Sequence, residues 1–255
     1  VEAAAAYQAL GDYTRSSDLW RRIAAIYQKA GMIDKRIAAL RSLAAVLDLQ
    51  ENPAASLEVR LDAALTASKA GKKTLAANIA QDMVDAFIEI GDLQNALEGF
   101  TELAPIIKSS GDVRGLLRVL EARGTLLVTH GDYNSAIPNL QDAKTGYLTQ
   151  VGDTWAAGEV SLKLAGALAA LKKTDESRSV LETALDELEN KYANENLDPS
   201  SDPKRAGLMM DLYRELASAD IRGGKTNDAD KLLTNAKRYM WLPEVINRMK
   251  SDPDA

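Results

Sequence analysis

Three groups of residues in this sequence have the types and spacing from which chemistry is built. Arg222-Gly223-Gly224-Lys225-Thr226 ends like a phosphate-binding loop, Gly-x4-Gly-Lys-Thr, in which backbone amides and a lysine cradle phosphate. The first glycine of that motif falls at Ala219, and no strand pattern precedes it, so the segment reads as a helix end and a turn. Gly71-Lys72-Lys73-Thr74 reads the same way. His130, the single histidine, precedes Gly131 at a helix end, where an imidazole meets free carbonyls and the negative end of the helix dipole. Without a cysteine or a second histidine, neither a thiolate zinc site nor a Ser-His-Asp arrangement can be assembled around it. Carboxylates at Asp186/Glu187/Glu189 and Asp82/Asp85 lie in helical stretches with polar outer faces, the pattern of solvated charge. The reading is therefore a chain that is not an enzyme, with no catalytic residues, no metal site and no cofactor.

Composition narrows the class further. Of 255 residues, 46% are hydrophobic but only 5% aromatic, which favours closely packed helices over strands rich in β-branched and aromatic side chains. A net charge of −6 opposes direct nucleic-acid binding, which takes clustered Lys and Arg to displace counterions. No apolar run reaches the ~18–20 residues of a membrane span. No charged-then-apolar leader opens the chain, so the expected location is cytoplasmic. The chain starts at Val1 without a methionine and already inside the helical run Glu2–Leu10, which reads as a segment of a longer polypeptide with flanking domains.

What positions these residues is a repeat. Glycines fall at Gly11, Gly31, Gly71, Gly91, Gly111, Gly131 and Gly152, in steps of 20, 40, 20, 20, 20 and 21, with only the place near Glu51 missing. Gly11, Gly91, Gly111, Gly131 and Gly152 are each followed by aspartate. Glycine ends one helix in the left-handed conformation, and the Asp side chain accepts from the free amides that begin the next. Between these turns the apolar residues recur at three and four, as in Leu162/Leu164/Ala165/Leu168/Leu171, so the spacing predicts about twelve helices of ~17 residues. Alternate helices carry a small-x3-large-x2-small pattern: Ser16/Trp20/Ile23, Leu57/Leu61/Ala64, Ala96/Phe100/Leu103, Ala136/Leu140/Ala143, Ser177/Leu181/Ala184 and Ala229/Leu233/Ala236. Its step is near 40 except for the last, where the extra residues form the polar, proline-bearing stretch 190–203, read as a loop. Pro105 should kink or shorten the helix over about Leu93–Lys108. Pro138 fits more easily if Ser135 is the N-cap.

These residues resemble the tetratricopeptide repeat family, which pairs a first helix reading large-x2-Leu-Gly-x2-Tyr with a Gly-Asp-Tyr turn and a second helix reading Ala-x3-Phe-x2-Ala. Gly91-Asp92-Leu93…Ala96…Phe100 and Gly131-Asp132-Tyr133…Ala136…Leu140…Ala143 match the second helix and its turn. Met83/Val84/Phe87 and Leu164/Ala165/Leu168 match the first. The period near 40, against the family's usual ~34, is similar to the longer-helix variants of kinesin light chains and of bacterial regulators of the maltose-activator type. Asp220 stands where a large ring is expected, Arg123 where Leu is expected, and Asn52-Pro53 replaces the Gly-Asp turn. Near the N-terminus two frames fit, because Trp20/Ala24/Tyr27/Gly31 has the first-helix spacing and Ser16/Trp20/Ile23 the second. A HEAT-like or irregular α-solenoid is the alternative packing.

The resemblance implies an all-α, right-handed α-α superhelix of about six helix pairs over residues 1–240. A capping helix at Glu244–Lys250, after Trp241-Leu242-Pro243, and a frayed tail fill 241–255. In the family the first helices line a concave groove. Counting back from Gly91, Gly131, Lys172 and Gly224 places Asn78, Gln81, Asp85, Arg118, Glu121, Thr125, Glu159, Lys163, Asp211, Arg214 and Ser218 there. The set is polar and mixed in sign, suited to holding a peptide. Gln81 and Asp85 stand where the family's carboxylate clamp has Lys and Asn, which disfavours a chaperone-tail acceptor. Arg114 and Arg118, one turn apart, can act together on an acidic group, or pair with Asp112 or Glu121. Trp20 reads as core, and Trp155 as a staple between helices or a partner contact. The expected function is a non-catalytic scaffold that binds a peptide or protein segment in its groove, as a monomer or weak homo-oligomer. The alternative is a ligand- or peptide-sensing regulatory domain of a multidomain signalling or transcription protein.

Overall fold

The computed structural model describes residues 1–90, 93–195 and 202–239, apart from the side chains of 85, 88, 89 and 238. Among the described residues twelve α-helices follow one another: α1 (Glu2–Ala9), α2 (Tyr13–Lys29), α3 (Ile33–Leu49), α4 (Pro53–Lys69), α5 (Lys73–Ile90) and α6 (Leu93–Ser110). Then come α7 (Val113–Thr129), α8 (Tyr133–Gly146), α9 (Thr154–Ala170), α10 (Thr174–Asn194), α11 (Pro203–Arg222) and α12 (Thr226–Ala236). No strand occurs among the described residues. The architecture is an all-α helical repeat, packed as two compact units, Val1–Arg123 and the residues from Gly124 onward.

The turns work as the glycine spacing predicts. Gly11, Gly31, Gly71, Gly111, Gly131 and Gly152 all have positive φ. After them Asp12, Asp132 and Asp153 accept from the amides of Arg15, Ser135 and Ala156 at 3.1, 3.2 and 3.0 Å. Asp112 accepts from the Gly115 amide at 2.8 Å. Where glycine is missing, the chain still turns left-handed, at Glu51 with φ 55° and at Lys172 with φ 61°. Asn52 then caps α4 through the Ala55 amide at 3.2 Å, and Pro53 takes the first helical position, where its missing N–H costs nothing. The step of 21 between Gly131 and Gly152 has its own cause. The extra residue sits in a π-turn, Tyr147–Val151, that continues α8. There the Asp153 amide reaches back six residues to the Tyr147 carbonyl, at 2.8 Å, whereas Asp12, Met32 and Asp132 reach back five.

Helices pair through a close approach that recurs twelve residues apart. Ser16 Oγ donates to the Ala4 carbonyl at 2.8 Å, Ser56 Oγ to Ala44 at 3.1 Å and Ser177 Oγ to Ala165 at 2.9 Å. Val84/Ala96, Gly124/Ala136 and Ala217/Ala229 hold the same places, buried, in the remaining pairs. A Cβ on Gly124 would run into the Leu140 side chain, so the α7–α8 pair needs the glycine. The hairpins are therefore α1–α2, α3–α4, α5–α6, α7–α8, α9–α10 and α11–α12, six in all among the described residues. This settles the N-terminal frame, with α2 as a second helix. It also corrects one instance of the pattern: the small residue of α4 is Ser56, not Leu57, and the large place belongs to Arg60. The hydroxyl's reach to Ala44 fixes this register.

Three further expectations change. α6 runs through Pro105 to Ser110. Pro105 and Thr101, whose carbonyl loses its donor, are both exposed, so water can serve it, while buried Leu103, Ile106 and Ile107 hold the helix in place. The N-cap of α8 is Asp132 rather than Ser135, and Pro138 lies inside the helix on its exposed side. The stretch 190–203 is not a continuous loop: α10 continues to Asn194, held by buried Tyr192 and a Lys191–Glu195 pair at 2.8 Å, and Pro203 opens α11. Residues 196–201, the Gly91-Asp92 turn, Trp241 and the expected cap at 241–255 lie outside the described residues.

Candidate binding surfaces

The expected groove residues fall on the first helices of four hairpins, α5, α7, α9 and α11. In the first unit Asn78 is exposed on α5, while Gln81 is half-buried and its amide donates to the Asp112 carboxylate. Asp112 caps α7, so Gln81 ties α5 to the start of the next hairpin and is spoken for structurally. Arg118 and Glu121 are half-buried on α7 and already engaged within the chain, as is the exposed Arg114 one turn before. The side chain of Asp85 lies outside the described residues.

In the second unit Thr125, Glu159, Lys163, Asp211 and Ser218 are half-buried and Arg214 is exposed. Glu159 pairs with Lys204, in the first turn of α11, at 3.3 Å. Arg214 pairs with Asp211 at 3.5 Å and with Glu215 at 3.8 Å. Such exposed pairs are worth ~0–1 kcal/mol each. These side chains are polar and mixed in sign.

Two polar or aromatic constellations were not assembled by sequence reasoning. Asp220, singled out only as a departure from the repeat, is 1% exposed and accepts from Arg178 Nε of α10 at 2.6 Å. Arg178 also holds Glu182 at 2.8 Å. The hydrogen bond to Asp220 raises the Arg178 pKa above its ordinary value, against the opposing effect of burial and with help from Glu182. The partner stands 42 residues upstream, beyond any local pattern. The second constellation surrounds Trp155. Its ring meets Tyr192 edge-on at 5.1 Å, Arg205 lies 4.8 Å over its face, and Tyr239 joins Tyr192 and Tyr213 at 6.2 and 6.1 Å. Trp155 thus staples α9 to α10 and α11, which is its packing role. Trp20, 7% exposed, is core.

The sequences that imitate catalytic motifs take part in helix ends. His130 Nδ1 lies 2.9 Å from the Leu126 carbonyl at the end of α7. Gly223 closes α11, and Gly224, with φ 76°, lets the Lys225 amide reach the Asp220 carbonyl at 2.8 Å. Lys72 pairs with Asp34 at 2.9 Å. Among the described residues, no group of three or more His, Cys, Asp or Glu side chains is placed to hold a metal ion. No described helix is long and apolar enough to cross a membrane.

No family model matches this sequence, and no curated protein does. Solved structures do match. A signal transduction ATPase with numerous domains, with a tetratricopeptide repeat sensor, from Pyrococcus horikoshii aligns over 98% of this chain with a TM-score of 0.62 and 16% identity. The fold is a TPR-like helical repeat. This chain spans 37% of the length of that neighbour. BtubC (BKLC) from P. vanneervenii aligns over 90% of this TPR-like chain and 88% of its own, with a TM-score of 0.59 and 16% identity. At that identity the likeness speaks for the fold.

Proposed function

We propose that this chain is a non-catalytic scaffold that holds a peptide or protein segment on the first-helix face of one of its units. One observation carries this reading: the buried places repeat while the face above them does not. The close-approach residues are Ala44, Val84, Gly124, Ala165 and Ala217, all small or β-branched, at one place in successive hairpins. Six residues earlier on the same helices stand Ala38, Asn78, Arg118, Glu159 and Asp211, which differ in charge and size. Within each unit a constant core thus presents side chains that vary from hairpin to hairpin, which is suited to reading an extended sequence. The weak surface pairs of Glu159 and Arg214 support the reading, because their charges can be exchanged for those of a partner.

Affinity capture from the source cells tests it, with the natural chain beside Arg118→Glu/Arg214→Glu. The expected outcome is a protein retained by the natural chain and lost by the variant, with equal helical circular dichroism for both. Equal retention would place the site elsewhere. A second reading, a ligand- or peptide-sensing regulatory domain of a larger protein, draws on the likeness to the Pyrococcus horikoshii protein, whose repeats are described as a sensor. A small molecule or short peptide that raises Tm, with no protein captured, would favour it.

A further inference from the structure

The second helices carry a site of a different kind from the face just discussed. Between α4 and α6, over α5, the first unit has a cleft of about 240 Å³. Leu57 and Leu61 of α4 and Met83 and Phe87 of α5 line it with apolar surface. The volume falls below the ~300–1,000 Å³ of small-molecule pockets and suits one or two apolar side chains of a peptide.

The rim has charge of one sign. Glu58 stands on α4, with Glu98 and Glu102 one turn apart on α6, and among the described residues no Lys or Arg lines the cleft. All three glutamates are exposed, and Glu58 and Glu102 make no ion pair among the described residues. Like charges at this spacing on a helix repel, and an incoming cation relieves the repulsion. We propose that this cleft docks a basic segment of another protein. An apolar side chain enters between Leu57, Leu61 and Phe87, and flanking Lys or Arg residues pair with Glu58 on one side and Glu98/Glu102 on the other.

The probe is the labelled peptide Lys-Arg-Leu-Phe-Lys-Arg, titrated onto the full chain by fluorescence anisotropy beside Lys-Arg-Gly-Gly-Lys-Arg and Glu-Glu-Leu-Phe-Glu-Glu. The basic apolar peptide should bind, more tightly at low salt, and weaken about tenfold or more on Glu58→Lys/Glu102→Lys. Ala54→Trp, at an exposed position on the cleft wall, should weaken it as well by filling the space. Both variants change exposed residues, and circular dichroism checks that each stays folded. Four results would overturn the proposal: no binding of the basic apolar peptide, equal binding of the glycine peptide, unchanged affinity in the charge-reversed variant, or a loss seen only with Arg118→Glu/Arg214→Glu. A concentration-dependent dimer dissolved by Glu58→Lys/Glu102→Lys would also overturn it, by showing that a second copy of the chain occupies the cleft.

Discussion

Phe100 sits at the large position of its hairpin, 1% exposed, with its ring edge-on to Phe87 at 5.5 Å and its neighbour Gly99 pressed against the Phe87 ring. Cutting it to alanine should cost ~3–5 kcal/mol in urea unfolding, and a loss below ~1 kcal/mol would contradict the hairpin frame. Lys172 and Glu51 argue in the opposite direction. Both hold left-handed backbone at helix ends where the other turns use glycine. That conformation costs an L-residue ~1–2 kcal/mol, so after the entropic penalty of glycine, Lys172→Gly and Glu51→Gly should each stabilise the chain by ~0.5–1 kcal/mol. A lower Tm for either variant would show that the side chain holds a compensating contact. The turn at Glu51 was legible only as a gap in the glycine series, because periodicity reports where a helix stops and not which residue bears the strain. The polar residues of the first-helix face were legible as positions. Their partners, such as Lys204 for Glu159, come from folding between helices and leave no mark in local spacing.

At the scale of elements, the helix ends and the alternation of first and second helices follow from the Gly-Asp turns and the 3.6-residue period. The register of α4 did not: Leu57/Leu61/Ala64 fits the spacing, and only the hydrogen bond from Ser56 to the Ala44 carbonyl shows that the close approach lies one residue earlier. The π-turn after α8 was present in the sequence only as a step of 21. Contacts between α10 and α11 show a different departure. The Arg178–Asp220 pair stands where the repeat expects a large ring, and one oxygen of Asp220 is buried without a hydrogen-bond partner. Removing only the carboxylate, by Asp220→Ala, should destabilise by ~2–3 kcal/mol, less than the ~3–5 kcal/mol of a fully buried pair because Arg178 keeps partial contact with water. Replacing both groups, by Asp220→Leu/Arg178→Met, should be neutral or stabilising. Thermal unfolding of the two variants checks this, and a double variant weaker than Asp220→Ala would mean that the pair is intrinsically favourable. The guanidinium's raised pKa lies on the side where its contribution is complete at low pH and is lost only as pH climbs through the raised value. Its charge therefore adds no pH dependence to stability in the neutral range.

At the scale of the whole molecule, six hairpins built on one close approach form a TPR-like repeat in two compact units. Within each unit, nearest-neighbour stacking of this kind spreads the core along the chain and leaves a surface whose side chains can vary. The fold was legible because a twenty-residue punctuation and a forty-residue pattern both survive in one sequence. The proposed binding face was legible only by position, since what a scaffold recognises depends on a partner's chemistry as much as on its own. The proposed function turns on which face a captured protein touches. The most direct measurement is amide hydrogen exchange of the chain alone and in complex with its captured protein, read helix by helix. Slower exchange is expected along α7, α9 and α11, with α8, α10 and α12 unchanged. Protection confined to second helices, or absent from α9 and α11, would contradict the account.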